Sequence, residues 1–212
     1  MLISPYLEKV IDHFSQGAFK KEIHRAKVEY AHSVGQSAEN ESNFEQQMND
    51  FLDWYLFVRL LPQHDLTPIK LFCDSQLKDL DADEKLVFEN LRESINSLFV
   101  VIAQKERDLY LKDLFDREIY LIENCEIIST FHKGDIFQGR LIRFRDVITF
   151  GQSFVFHPAE AKKFIMKEAR VAHKMPAQFK EQLLYRLRTM KLKSLQYPHV
   201  DPDQFYAKEP LL

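Results

Sequence analysis

The sequence predicts an α+β protein: an N-terminal helical bundle, a small central antiparallel β-meander or barrel, and C-terminal helices. Three observations predict it. Apolar residues recur at spacings of three and four from the N-terminus to about Ile95; short apolar runs rich in β-branched residues, split by turn signals, fill residues 97–157; and helical spacing returns after Pro158. A length of 212 residues with 45% hydrophobic and 29% charged residues is that of an ordinary globular chain. Eighteen Phe against five Gly predict an aromatic core and few tight turns.

Pro5 suits the first turn of a helix running to about Phe14, with Leu7, Val10, Ile11 and Phe14 on one face. Gly17 separates it from a second helix, in which Phe19, Ile23, Ala26 and Tyr30 repeat at helical spacing. Gly35 ends that helix, and Gln36–Asn43 is read as a loop. A third helix follows with Phe44, Met48, Phe51, Tyr55 and Val58 inward, and Pro62 stops it. Thr67-Pro68 reads as an N-cap and first helical position. Asp81 or Asp83 caps a further helix holding Leu86, Val87, Leu91 and Ile95.

Six short runs are strand candidates: Leu98–Ala103, Leu109–Leu111, Ile119–Ile122, Glu126–Thr130, Ile136–Phe144 and Val147–Phe156. Turns fall at Asp116-Arg117, Lys133-Gly134-Asp135 and Gly151-Gln152. Pro158 opens a helix to about Lys174, and Pro176 another to about Ser194. The Pro-containing tail from 195 to 212 reads as an extended arm. The parts are thus 1–96 (helical), 97–157 (antiparallel β), 158–194 (basic helical) and 195–212 (arm), expected to form one cooperative unit.

Charge is unevenly spread. Residues 1–157 hold 18 Lys and Arg against 26 Asp and Glu, a net of −8; residues 158–194 hold 10 against 3, a net of +7; the tail is −2. Lys180, Arg186, Arg188, Lys191 and Lys193, with Arg170 ahead of them, are therefore the candidate binding residues, either for a polyanion or for the acidic remainder of the same chain. Arg140, Arg143 and Arg145 are a candidate anion-binding row.

Signatures of catalysis are missing from the sequence. There is no G-x-S-x-G elbow, no phosphate-binding glycine loop and no C-x-x-C. Eight scattered histidines include no pair at the i, i+4 spacing of a helical zinc site. Glu29-x-x-His32 is half of a di-iron motif without its second half, and a polar helix face is the plainer reading. No catalytic residue, metal or cofactor is expected. Charged Glu8 and Lys9 interrupt any leader-like stretch, and no uncharged apolar run nears the ~20 residues of a membrane span, so a cytoplasmic address is expected.

An Ala-x3-Tyr helix and a loop with Glu39 and Glu41 lead to Phe51-Leu-Asp-Trp-Tyr-Leu-Phe57. Leu60-Leu61, Thr67-Pro68-Ile and Lys133-Gly-Asp-Ile-Phe-Gln-Gly-Arg-Leu141 follow. This succession resembles an uncharacterised bacterial domain found beside SEC-C zinc-binding motifs, which reads Phe-x-x-Trp-Phe-x-Phe-Asp, then Thr-Pro, then Gly-Asp-x-x-x-x-Arg-Leu. The likeness covers about residues 18–157. Val58-Arg59 stands where that domain carries an acid, and the cysteine-rich zinc motif is missing. The resemblance implies a helical-then-β layout and no activity. The function expected is a non-catalytic cytoplasmic binding or adaptor module with a protein partner. The alternatives are a nucleic-acid-associated protein using the basic C-terminal helix, and an enzyme or metal protein with a scattered site.

Overall fold

A computed structural model describes residues 3–33 and 44–207. The expected loop 36–43, Gly35 as a helix stop, and the end of the tail lie outside the described residues. The elements are α1 (Ser4–Ser15), α2 (Lys20–Ser33), α3 (Phe44–Phe57), α4 (Pro68–Gln76), α5 (Ala82–Arg92), β1 (Ile95–Lys105), β2 (Asp108–Asp113), β3 (Ile119–Ile122), β4 (Ile136–Phe144), β5 (Val147–Phe156), α6 (Lys162–Ala172) and α7 (Ala177–Gln196). The fold is α+β with helices at both ends, as the sequence predicts.

Five of the six predicted strands form. The sixth, Glu126–Thr130, holds a 3-10 turn at Ile128–Thr130 instead. The strands lie in the order β3-β2-β1-β4-β5, so β1 to β3 form a meander and β4 returns to the other side of β1. The sheet has β3 and β5 as its outer strands, where a simple meander or barrel was expected. β1 and β2 pair antiparallel with a bulge between Val101 and Ala103. Sparse glycine does not mean few tight turns: Asp65, Glu106, Arg117, Asn124 and Arg145 all take positive φ. Polar side chains thus accept the left-handed conformation at a cost of about 1 kcal/mol each. Gly134, at φ +93, opens the turn before β4 where a side chain would be strained.

The chain divides into two units, Met1–Ile95 with Leu141–Ser153, and Asn96–Arg140 with Phe154–Leu212. The first unit is built on helical faces. Leu7, Val10 and Phe14 of α1 recur at three and four, and they are buried with Phe51 and Tyr55 of α3, Phe72 of α4 and Phe88 of α5. Rings meet directly: Phe72 and Phe88 have centroids 4.8 Å apart, and Phe51 stacks on Tyr55 at 5.8 Å. Each such ring removes about 2 kcal/mol worth of apolar surface from water. Phe44 and Val58, expected inward, are 65% and 47% exposed, because they lie at the first residue of α3 and just past its end. Leu86 is also exposed; Val87, Phe88 and Leu91 set the buried face of α5. Thr67 takes the extended N-cap conformation of α4 without a side-chain cap bond, whereas Asp81 caps α5 by accepting from Glu84 N at 2.9 Å.

In the second unit, one core joins Leu98 and Leu114 to Ile165, Ala169, Leu187 and Met190 of the C-terminal helices. Gln138 in β4 donates to Leu184 O of α7 at 2.9 Å, giving a buried amide its partner. Phe131, Phe137, Phe154 and Phe156 form an aromatic cluster with centroids 5.1–6.4 Å apart. Gly139 makes room for it, since a Cβ there would meet Phe137 at 3.2 Å. The described part of the tail folds back. A 3-10 turn at Pro202–Gln204 brings Phe205 and Tyr206 back into the core, each 3% exposed.

Candidate functional site

The C-terminal helices each bury one stripe. On α6, Ile165, Ala169 and Ala172 face inward at spacings of four and three; on α7, Leu183, Leu184, Leu187, Met190 and Ser194 do. The opposite face of α6 is therefore fixed by geometry, and it carries Lys163, Lys167 and Arg170, continued by Lys174 in the following turn. These four cations recur at four, three and four, all are exposed, and none has an ion-pair partner among the described residues. Like charges at i, i+3 and i, i+4 cost a helix about 0.2–0.5 kcal/mol per pair at low salt. Three such pairs cost α6 roughly 1 kcal/mol before screening. The first turn of α6 holds Lys162 and Lys163 and no acid, at the end where the helix dipole is positive.

The acids nearby serve other cations. Glu168, the one acid on α6, accepts from Arg186 of α7, whose guanidinium also lies 5.6 Å over the Phe164 ring. Asp116 accepts from Lys180, which sits 5.9 Å over Phe115. Lys191 is half-buried; burial lowers its pKa, and Glu160 pulls it back up. Arg188 and Lys193 are half-buried. Of the six basic residues singled out from the sequence, only Arg170 stands fully exposed and unpaired among the described residues. The stripe on α6 that it belongs to was not read from the sequence. Its signal, K-x3-K-x2-R-x3-K, lies in plain view beside Glu168, whose pairing with α7 only the fold shows.

At the α6–α7 corner the apolar residues Val171, Met175 and Phe179 are 53%, 38% and 44% exposed.

A buried pair lies beneath these helices. His157 Nδ1 is 2.8 Å from Tyr206 Oη, and the Tyr206 ring meets Phe164 edge-on at 6.4 Å. Burial, with a smaller push from Lys191, lowers the His157 pKa to about 3, and burial raises that of Tyr206. The imidazole is therefore neutral at ordinary pH. Only 8% of His157 is exposed, so the pair fastens the tail and offers no surface for chemistry.

Arg140 is buried in the second unit, whereas Arg143 and Arg145 are exposed in the first, Arg145 at φ 55 with its guanidinium 5.5 Å over Phe144. Glu29 accepts from Arg59 Nε at 2.9 Å, and His32 is exposed. Arg59 is 6% exposed, pairs also with Glu22 at 2.7 Å, and lies 5.9 Å over the Trp54 ring. Burial pulls its pKa down, but the two carboxylates outweigh it and the net shift is upward. Its neighbour Tyr55 is pushed up to about 12, first by burial and then by Glu22. Sequence reading noted Arg59 only as a departure from an acidic position; the spacing of Glu22 and Glu29, two turns apart on α2, was the available signal. Among the described residues, no three His, Cys, Asp or Glu cluster to hold a metal. A cavity of about 130 Å³ is lined by Lys27, Tyr30, Phe44, Gln47, Met48 and Phe51. That is below the ~300–1,000 Å³ of typical ligand pockets.

Comparison with protein families matches residues 8–185 to a family of unknown function, DUF7986. The chain belongs to that family. The match takes in all of α6 and the start of α7, to residue 185, so the cationic stripe and the apolar corner lie within the DUF7986 region. No curated protein and no solved structure matches the chain. No helix among the described residues is long and apolar enough to cross a membrane.

Proposed function

We propose that this DUF7986 protein is a non-catalytic binding module that acts through a protein partner docked on the exposed face of α6 and the α6–α7 corner. The observation that carries the reading is the row Val171, Met175 and Phe179, three exposed apolar side chains bordered by cations. Protein interfaces have this make-up, with apolar and Met or aromatic residues at the centre and charge at the rim. The likeness of the Phe51–Phe57 and Lys133–Leu141 segments to a bacterial domain that accompanies SEC-C motifs adds support, since accompanying domains commonly work by docking. Cytoplasmic action is part of the proposal. Both cysteines are buried free thiols, and burial raises both above the usual thiol range, as suits a chain that keeps them reduced.

A photo-crosslinking residue placed at Val171 or Met175 in the producing cell tests this. A discrete protein adduct at these sites, absent at Glu181 on the same pair of helices, is expected. No protein adduct at either site would refute the module. A nucleic acid is the second reading, favoured by the four-cation stripe.

A further inference from the structure

We infer, resting on that reading, that the partner is recognised through an acidic protein segment, its carboxylates meeting Lys163, Lys167, Arg170 and Lys174 while its own apolar side chains cover Val171 and Met175.

Three observations lead there. The stripe is uncompensated where compensation was available: unit two spends Asp116 and Glu168 on Lys180 and Arg186, and leaves the outer face of α6 wholly cationic. Lys162 and Lys163 stand at the helix N-terminus, against the dipole. Lys162 donates to Gly134 O, but the stripe, Lys163 included, breaks both local rules with no ion pair among the described residues, and such a face gains from an anion.

The apolar neighbours choose among anions. A phosphodiester backbone is met by cations and polar donors and gives Val171, Met175 and Phe179 nothing to pack against. An anionic bilayer takes the opposite arrangement, with the apolar face down and cations on its flanks. Here the cations hold the crest of α6, opposite Ile165 and Ala169, and the apolar side chains lie to the side. A protein segment bearing both carboxylates and apolar groups satisfies both. From Lys163 to Lys174 is eleven residue steps, about 16 Å at the helical rise, or three turns. A partner helix with acids at its own three-four spacing covers that length.

The test uses the full chain in its own cells, with the crosslinker at Val171, in the otherwise native protein and in K167E/R170E. A milder variant, K163Q/K174Q, guards against misfolding, and circular dichroism checks both. The expected result is a protein adduct whose crosslinked peptide is rich in Asp and Glu. Its yield should fall about tenfold or more in K167E/R170E and return when two of the partner's acids are changed to Lys. An adduct destroyed by nuclease, or one extracted with lipid, would overturn the inference in favour of nucleic acid or membrane. A protein adduct indifferent to both charge variants would overturn the acidic partner yet leave the binding module standing. No adduct at Val171 or Met175 would end both.

Discussion

Acid should weaken this protein through one imidazole before it does so through most others. His157 is 8% exposed, is neutral in the fold with a pKa of about 3, and returns to about 6.5 when the chain unfolds. The sign follows from which state holds the proton. Between pH 6.5 and 3 the unfolded chain binds a proton that the folded chain refuses, so stability is full above about pH 6.5 and falls with pH across that window. The slope is about 1.4 kcal/mol per pH unit, and pH 5 lies one and a half units below the unfolded pKa, so about 2 kcal/mol is lost between pH 7 and 5. Other groups titrate in the same range, and the comparison that cancels them is with H157Q, whose amide can bond Tyr206 Oη but cannot take the proton. Urea unfolding at pH 7 and pH 5 gives four stabilities. The native protein should lead the variant at pH 7, and that lead should shrink by about 2 kcal/mol at pH 5. A lead that is the same at both pH values would refute the argument, because it would mean that His157 titrates alike in folded and unfolded chains.

Removing Arg59 should be costly: R59M leaves Glu22 and Glu29 facing each other without their shared cation, and a loss of about 3 kcal/mol in urea unfolding is expected, partly recovered in E22Q/R59M. No recovery in E22Q/R59M would show that Glu22 and Arg59 do not act as a unit. D81A should cost about 1 kcal/mol by freeing Glu84 N at the start of α5, read by the same unfolding measurement. Cys73, with its thiol pushed up to about 11 by burial, should resist a thiol reagent at pH 8 in the folded protein and react at once in denaturant; equal rates would contradict the buried placement.

The helices were legible because they depend on residues close in sequence. Pro5, Thr67-Pro68 and Asp81 mark starts that the fold keeps, and Leu7, Val10 and Phe14 of α1 are buried as read, whereas on α5 Leu86 is exposed and Ile95 already belongs to β1. Strand order was not legible. Alternation shows that Ile136–Phe144 is a strand, but eight of its nine residues are buried, Gln138 and Arg140 among them, because β4 lies between β1 and β5. Nothing local states that position. The tail misled for a related reason: three prolines argue for an extended chain, while Tyr206 finds partners in Phe164 and His157, some forty to fifty residues away. Proline stiffens the path without saying where it leads.

The basic segment shows the same limit at the level of the site. Summed charge pointed to residues 158–194, with a net of +7. It could not separate cations that hold the fold together from cations left over. That division depends on acids such as Asp116, 64 positions from Lys180 in sequence, and on Glu168, which faces α7 and not its own helix's crest. Once those pairs are removed from the account, α7 loses the claim that its lysines and arginines seemed to give it, and the surplus falls on Lys163, Lys167, Arg170 and Lys174. A cation already satisfied must break a bond to greet a partner; one standing in solvent beside like charges gains from the first carboxylate that arrives. For that reason the proposed partner is placed on the outer face of α6, and not on the longer and more basic-looking α7.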